Sequence, residues 1–165
     1  MMTTGTDVRV KVADYAVRRG PHILVTIGLG SCVAIALYER DSQVGALAHI
    51  LLPNRAMSRE TENPAKFPET IIPLMLEEMR ALGTAAAARI SAKIVGGASM
   101  FGQLANGSGI NVGDRNLSAT RDVLAAHGIP VVAEDTGLDY GRSVYFHLAD
   151  GRLEVRSLKK GDRVI

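Results

Sequence analysis

Two side chains in this sequence can do nucleophilic chemistry together. Cys32 is the chain's one cysteine, so it can form no internal disulfide and supplies no zinc cluster. An unpaired cysteine most often serves as a small buried hydrophobe. This one directly follows Gly28-Leu29-Gly30-Ser31 and opens an apolar run, which puts it at the mouth of a strand, where glycines expose backbone amides and admit a substrate. His49 interrupts a second apolar run, Val44 to Leu52. The polar stretch Glu39 to Gln43 between the two runs reads as a hairpin turn. A turn centred between Arg40 and Asp41 sets Cys32 directly opposite His49, at a Cβ separation of roughly 4.5–5.5 Å. The same register pairs Val33 with Ala48, Ile35 with Ala46 and Leu37 with Val44, a consistent apolar second face. An imidazole so placed takes the thiol proton, and a thiolate–imidazolium pair is a strong nucleophile.

A nucleophile–base pair needs a third group to orient the imidazole. The residues offer two. Thr26 carries a hydroxyl inside the apolar strand that precedes Cys32, and Asp135 ends a later strand with a carboxylate, the more usual partner. His22, His127 and His147 fall in a loop, at a helix end and on an alternating strand, where structural or solvated roles suffice. Gly28-Leu29-Gly30-Ser31 is a poor phosphate cradle, lacking the full glycine spacing, a following Lys-Ser/Thr and a helix.

The elements that must hold these groups are legible from periodicity. Val8, Val10 and Val12 alternate with charged residues, as in a half-buried strand. Further strands are expected over Ile23–Ile27, Val33–Tyr38, Val44–Leu52, Ile90–Val95, Ile129–Ala133, Ser143–Leu148 and Leu153–Leu158, with Asp150-Gly151 marking a hairpin. Ile72, Met75, Leu76, Met79 and Leu82 share one helical face, with Pro73 in the first turn and Gly83 as the stop. A second helix runs from about Leu117 to His127, capped by Asn116 and closed by Gly128. Residues 54–66 are polar and irregular, and residues 96–113 form a glycine-rich loop long for a mere connection; both are expected to line the cleft. The sum is an α/β fold, a layered β-sandwich-like single domain with two main helices packed on one side and a hairpin carrying the chemistry.

Composition narrows the function classes. The 165 residues are enough for one domain with a proper core. At 47% apolar and 22% charged the chain is ordinary for a globular protein. Aromatics are 4% and tryptophan is absent, which argues against base-stacking platforms, and a net charge of +2 without a basic block argues against a nucleic-acid arm or polybasic anchor. Gly20 to Tyr38 lacks acidic and basic residues, but its glycines, proline and β-branched residues fit two buried strands better than a membrane helix. The first eleven residues reach charge before any apolar run, unlike a signal peptide. A cytoplasmic protein without membrane insertion is expected.

Several stretches together resemble a known family, the CheD chemoreceptor glutamine deamidases. They are Val25-Thr26-Ile27-Gly28-Leu29-Gly30-Ser31-Cys32-Val33-Ala34, Gly45 to Pro53, Ala92 to Phe101, Ile110 to Asn116, Glu134-Asp135-Thr136-Gly137 and Gly141-Arg142-Ser143-Val144. The resemblance spans roughly Val12 to Val155. It implies that Cys32 is the nucleophile, His49 its base and Thr26, rather than Asp135, the third member. It implies hydrolysis of glutamine side-chain amides to glutamate and ammonia through a cysteine thioester, on the cytoplasmic helices of methyl-accepting chemotaxis receptors, with no cofactor or metal. Backbone amides around Gly30, Ser31 and Cys32 would receive the oxyanion. A CheC-type phosphatase is the implied regulatory partner. Leu138 stands where the family usually has a glycine. The competing interpretation is a non-catalytic adaptor that binds receptors or the phosphatase.

Overall fold

A computed structural model describes residues 6–85, 89–99 and 111–165. Ten strands and two helices are present among them: β1 (Asp7–Arg9), β2 (Asp14–Arg19), β3 (Ile23–Leu29), β4 (Val33–Glu39), β5 (Val44–Ile50), α1 (Pro68–Ala81), β6 (Ser91–Gly96), α2 (Val112–Ala126), β7 (Val131–Thr136), β8 (Arg142–His147), β9 (Leu153–Arg156) and β10 (Arg163–Val164). They build the layered α/β sandwich that the patterning implies. One sheet has the order β1-β3-β8-β9-β10 and the other β2-β5-β4-β6-β7.

The alternation of β4 and β5 explains the layers. Both strands are buried along their whole length, because each face meets a different partner. Val33, Ile35, Leu37, Ala46, Ala48 and Ile50 pack with Ile71, Ile72, Met75 and Met79 of α1 and with Leu117 and Leu124 of α2. Ala34, Ala36 and Leu47 face the other way, into a core shared with Leu24, Leu29, Val144 and Phe146 of the first sheet. Both helices therefore lie on one side, and the inter-sheet space lies on the other. β3 belongs to the first sheet and β4 to the second, so Gly30-Ser31-Cys32 is the segment that crosses between them.

Four expectations need correction. The hairpin register is offset by two residues: Ala34, not Cys32, lies opposite His49, and Val33, Ile35 and Leu37 face Ile50, Ala48 and Ala46. The turn holds four residues between Glu39 and Val44, closed by Gln43 in the left-handed conformation (φ 54°). The Glu39 carboxylate fastens it, accepting from the Ser42 backbone N–H (2.6 Å) and hydroxyl (2.9 Å). Because the offset is even, Cys32 and His49 keep the same face and become diagonal neighbours. Pro73 lies inside α1, and Pro68 holds the first position instead. Asn116 caps nothing: α2 starts at Val112, with the Asn111 side chain accepting from the Asp114 N–H (3.1 Å). The first strand stops at Arg9 and leaves Val12 exposed, while β2 and β10 are additional strands. Residues 54–66 contain two short 3-10 turns; of the glycine-rich loop, residues 100–110 lie outside the described residues.

Candidate active site

The imidazole of His49 is fully buried, and its protonation is dictated by its neighbours. Thr26 reaches across from β3, its Oγ1 2.7 Å from His49 Nδ1 and 2.7 Å from the Val10 carbonyl oxygen. A carbonyl can only accept, so the one hydroxyl proton goes to Val10. Thr26 Oγ1 must then accept, and Nδ1 must carry the hydrogen. Burial pushes the His49 pKa down to about 4, so the ring is neutral over the physiological range. A neutral ring with Nδ1–H leaves a lone pair on Nε2, which is buried and has no hydrogen-bond partner among the described residues. A lone pair so placed is chemically able to accept a proton.

Cys32 stands at the edge of the same face, packed against the inter-sheet core and partly open to solvent. The cysteine is half-buried, whereas the imidazole is fully sealed from solvent. Burial raises the thiol pKa, partly offset by the residue's own backbone N–H, which favours the thiolate. Both shifts favour neutral forms. Both directions run against a thiolate–imidazolium pair already formed in the free protein.

The crossing segment is strapped down one carbonyl at a time. Gly30 O accepts from Ala98 N–H (2.9 Å), Ser31 O from Asn116 Nδ2 (2.8 Å) and Cys32 O from Gly97 N–H (2.8 Å). This close approach requires glycine at position 96, where φ is +110° and a Cβ would collide with the Cys32 carbonyl oxygen. The Ser31 and Cys32 N–H groups donate to no acceptor among the described residues outside their own residue, so they are available to a ligand.

Asp135, the carboxylate alternative to Thr26, is engaged elsewhere. Its Oδ1 accepts from Arg142 Nε (2.9 Å) and Tyr140 Oη (3.4 Å), and Arg163 approaches Oδ2 at 3.4 Å. Arg142, itself buried, also donates to the Gly137 and Tyr140 carbonyls. His22 lies near the Thr6 carbonyl, His127 ends α2 and His147 faces Glu154 at 3.6 Å.

Two contributors escaped sequence reasoning. The Val10 carbonyl that orders the Thr26 hydroxyl carries no side-chain signal at all. Asn116 did carry one: with Thr120 and Leu124 it repeats every four residues along the buried face of α2, an inward position no helix cap occupies.

Residues 51–157 match the family model described as CheD chemotactic sensory transduction. The chain belongs to the CheD family. It is 45% identical over 157 residues, 95% of this chain and 96% of the relative, to a protein of Caldanaerobacter subterraneus subsp. tengcongensis named probable chemoreceptor glutamine deamidase CheD. Against the chemoreceptor glutamine deamidase CheD of Thermotoga maritima it is 39% identical over 155 residues, 94% of each chain. The CheD 2 protein of Geobacter metallireducens, named a probable chemoreceptor glutamine deamidase, is 45% identical over 156 residues, 93% of this chain and 94% of its own. No helix among the described residues is long and apolar enough to cross a membrane.

Proposed function

We propose that this CheD protein is a cysteine-dependent protein-glutamine deamidase acting in the cytoplasm on the cytoplasmic helices of chemotaxis receptors. The relatives' names support glutamine as the substrate group. The observation that carries the mechanism is the chain Val10 C=O, Thr26 O–H, His49 Nδ1–H, which leaves Nε2 free on the face that Cys32 shares.

The reaction follows from those atoms. The substrate carboxamide enters over the half-buried Cys32. Nε2 of His49 takes the thiol proton as Sγ bonds to the amide carbon, and the carbonyl electron pair moves onto oxygen. The Ser31 and Cys32 N–H groups receive that oxyanion. On collapse the C–N bond breaks, and His49 returns its proton to the departing nitrogen, which leaves as ammonia. His49 then deprotonates a water that attacks the thioester. The C–S bond breaks, the thiol regains its proton, and glutamate remains. Deprotonating Cys32 only when substrate is present suits the neutral pair, since an ionised pair in this partly buried site would cost desolvation.

The test is incubation with the cytoplasmic fragment of a chemoreceptor, with assay of released ammonia and mass spectrometry of tryptic peptides, which resolves amide from acid. Conversion of specific glutamines by the parent protein and none by Cys32→Ala is expected. Binding of the fragment without conversion by either protein would establish the adaptor instead.

A further inference from the structure

Besides His49 Nε2, the site holds a second unpaired buried atom, the acceptor end of Asn116. Its side chain is fully buried on the inner face of α2, and its Nδ2 bridges two backbone carbonyls, Ser31 at 2.8 Å and Leu51 at 3.2 Å. Ser31 immediately precedes Cys32, and Leu51 lies two residues beyond His49. One amide group thus ties the segment bearing the thiol to the exit of the strand bearing the imidazole. Its Oδ1 is buried and accepts from no described residue. An unpaired buried acceptor is a cost to folding, borne here for the sake of the two donors.

The geometry of the peptide unit says what those donors achieve. In a planar trans peptide the C=O and the following N–H point in opposite directions. Holding the Ser31 oxygen inward on Asn116 therefore turns the Cys32 N–H outward. That N–H belongs to the nucleophile's own residue, so turned outward it is placed to meet the oxygen of a carbonyl that the sulfur attacks. The neighbouring carbonyls are fixed by Ala98 and Gly97 backbone N–H groups, so the Ser31–Cys32 peptide alone of the three depends on a side chain for its orientation.

We propose that Asn116 is a positioning residue of the deamidation reaction, setting the oxyanion-binding Cys32 N–H through the Ser31 carbonyl. The proposal rests on the deamidase reading and deepens it. It separates two properties of Cys32. Alkylation by iodoacetamide needs the thiolate but develops no oxyanion; amide hydrolysis needs both.

The experiment compares the parent with Asn116→Ala and with the near-isosteric Asn116→Asp, which presents an acceptor to the two carbonyls. Each is assayed for steady-state deamidation of the receptor fragment, for Cys32 alkylation by iodoacetamide at mildly alkaline pH, and for cooperative melting. A kcat about 10²-fold lower is expected in both variants, the magnitude of one lost oxyanion donor, with KM little changed and the alkylation rate within about threefold of the parent. Folded variants with unchanged kcat would overturn the proposal and leave Asn116 a packing residue. Alkylation falling in step with kcat would also overturn it, since the defect would then lie in the thiol. If the parent alkylates normally but releases no ammonia from any receptor fragment, the deamidase reading itself fails, and this proposal with it.

Discussion

Two buried polar constellations sit three residues apart along β3 and follow opposite electrostatic plans. At Thr26 a relay of neutral groups runs from His49 to the Val10 carbonyl. At Leu29 the ladder partner is Arg142, whose guanidinium pairs with the Asp135 carboxylate and stacks on Tyr140 at 4.1 Å. A carboxylate is the commoner orienter of a base, yet here its lone pairs are spent on Arg142, Tyr140 and Arg163. The hydroxyl, with its proton committed to Val10, is left with a lone pair for the imidazole. An ionic cluster braces the 137–141 turn, and an uncharged relay holds a neutral imidazole in place. The difference shows that the stronger hydrogen-bonding group is not the better orienter once its valences are filled.

Mutations at the two places should separate accordingly. The largest effect is expected for His49→Ala, which removes both the proton acceptor for the thiol and the donor for ammonia; deamidation should fall to the background shown by Cys32→Ala, while both variants melt cooperatively. Arg142→Met should produce the largest loss of stability, about 3–5 kcal/mol by denaturant titration, because it leaves a buried carboxylate without its principal partner. Activity per folded molecule should stay within a few-fold of the parent, and a collapse of kcat in folded Arg142→Met would merge the two constellations into one. Thr26→Val should show the reverse balance. Losing the orienting hydroxyl should lower kcat by about 10²-fold, the lower end of the acid–base range, and the stranded Val10 carbonyl and Nδ1–H should cost about 1–3 kcal/mol.

The effect that leaves activity near neutral pH untouched is a dependence of stability on acid. His49 has a pKa of about 4 in the folded protein against 6.5 ordinarily. Between those values the unfolded chain binds the proton and the folded one does not, so stability rises with pH across this window and is lost as pH falls through it. Each pH unit there is worth up to about 1.4 kcal/mol. Denaturant midpoints should show this slope in the parent, and His49→Gln should flatten it.

Much of this was legible in the residues, and the failures have identifiable causes. Strict alternation in β4 and β5 told which face each residue takes, and a period of two keeps Cys32 and His49 together under any even offset. The offset itself depended on Gln43 adopting a positive φ and on Glu39 gripping Ser42, neither of which residue type announces. Asn116 satisfied the composition of a helix cap as well as Asn111 does, and only its four-residue spacing to Thr120 and Leu124 marks it as inward. Thr26 and Asp135 could not be ranked by residue type alone, because what decided between them was the occupancy of each by third parties. Val10 contributes through its backbone, which no side-chain pattern encodes.

The central claim is that His49 stands neutral with its hydrogen on Nδ1, held by Thr26, and its lone pair on Nε2. Long-range nitrogen–proton correlation NMR of the imidazole, followed from pH 8 down to pH 4, reads this directly. The neutral Nδ1–H tautomer is expected at pH 7, persisting until the pH approaches about 4 and losing its tautomeric preference in Thr26→Val. An imidazolium at pH 7, or a proton resident on Nε2, would contradict the account.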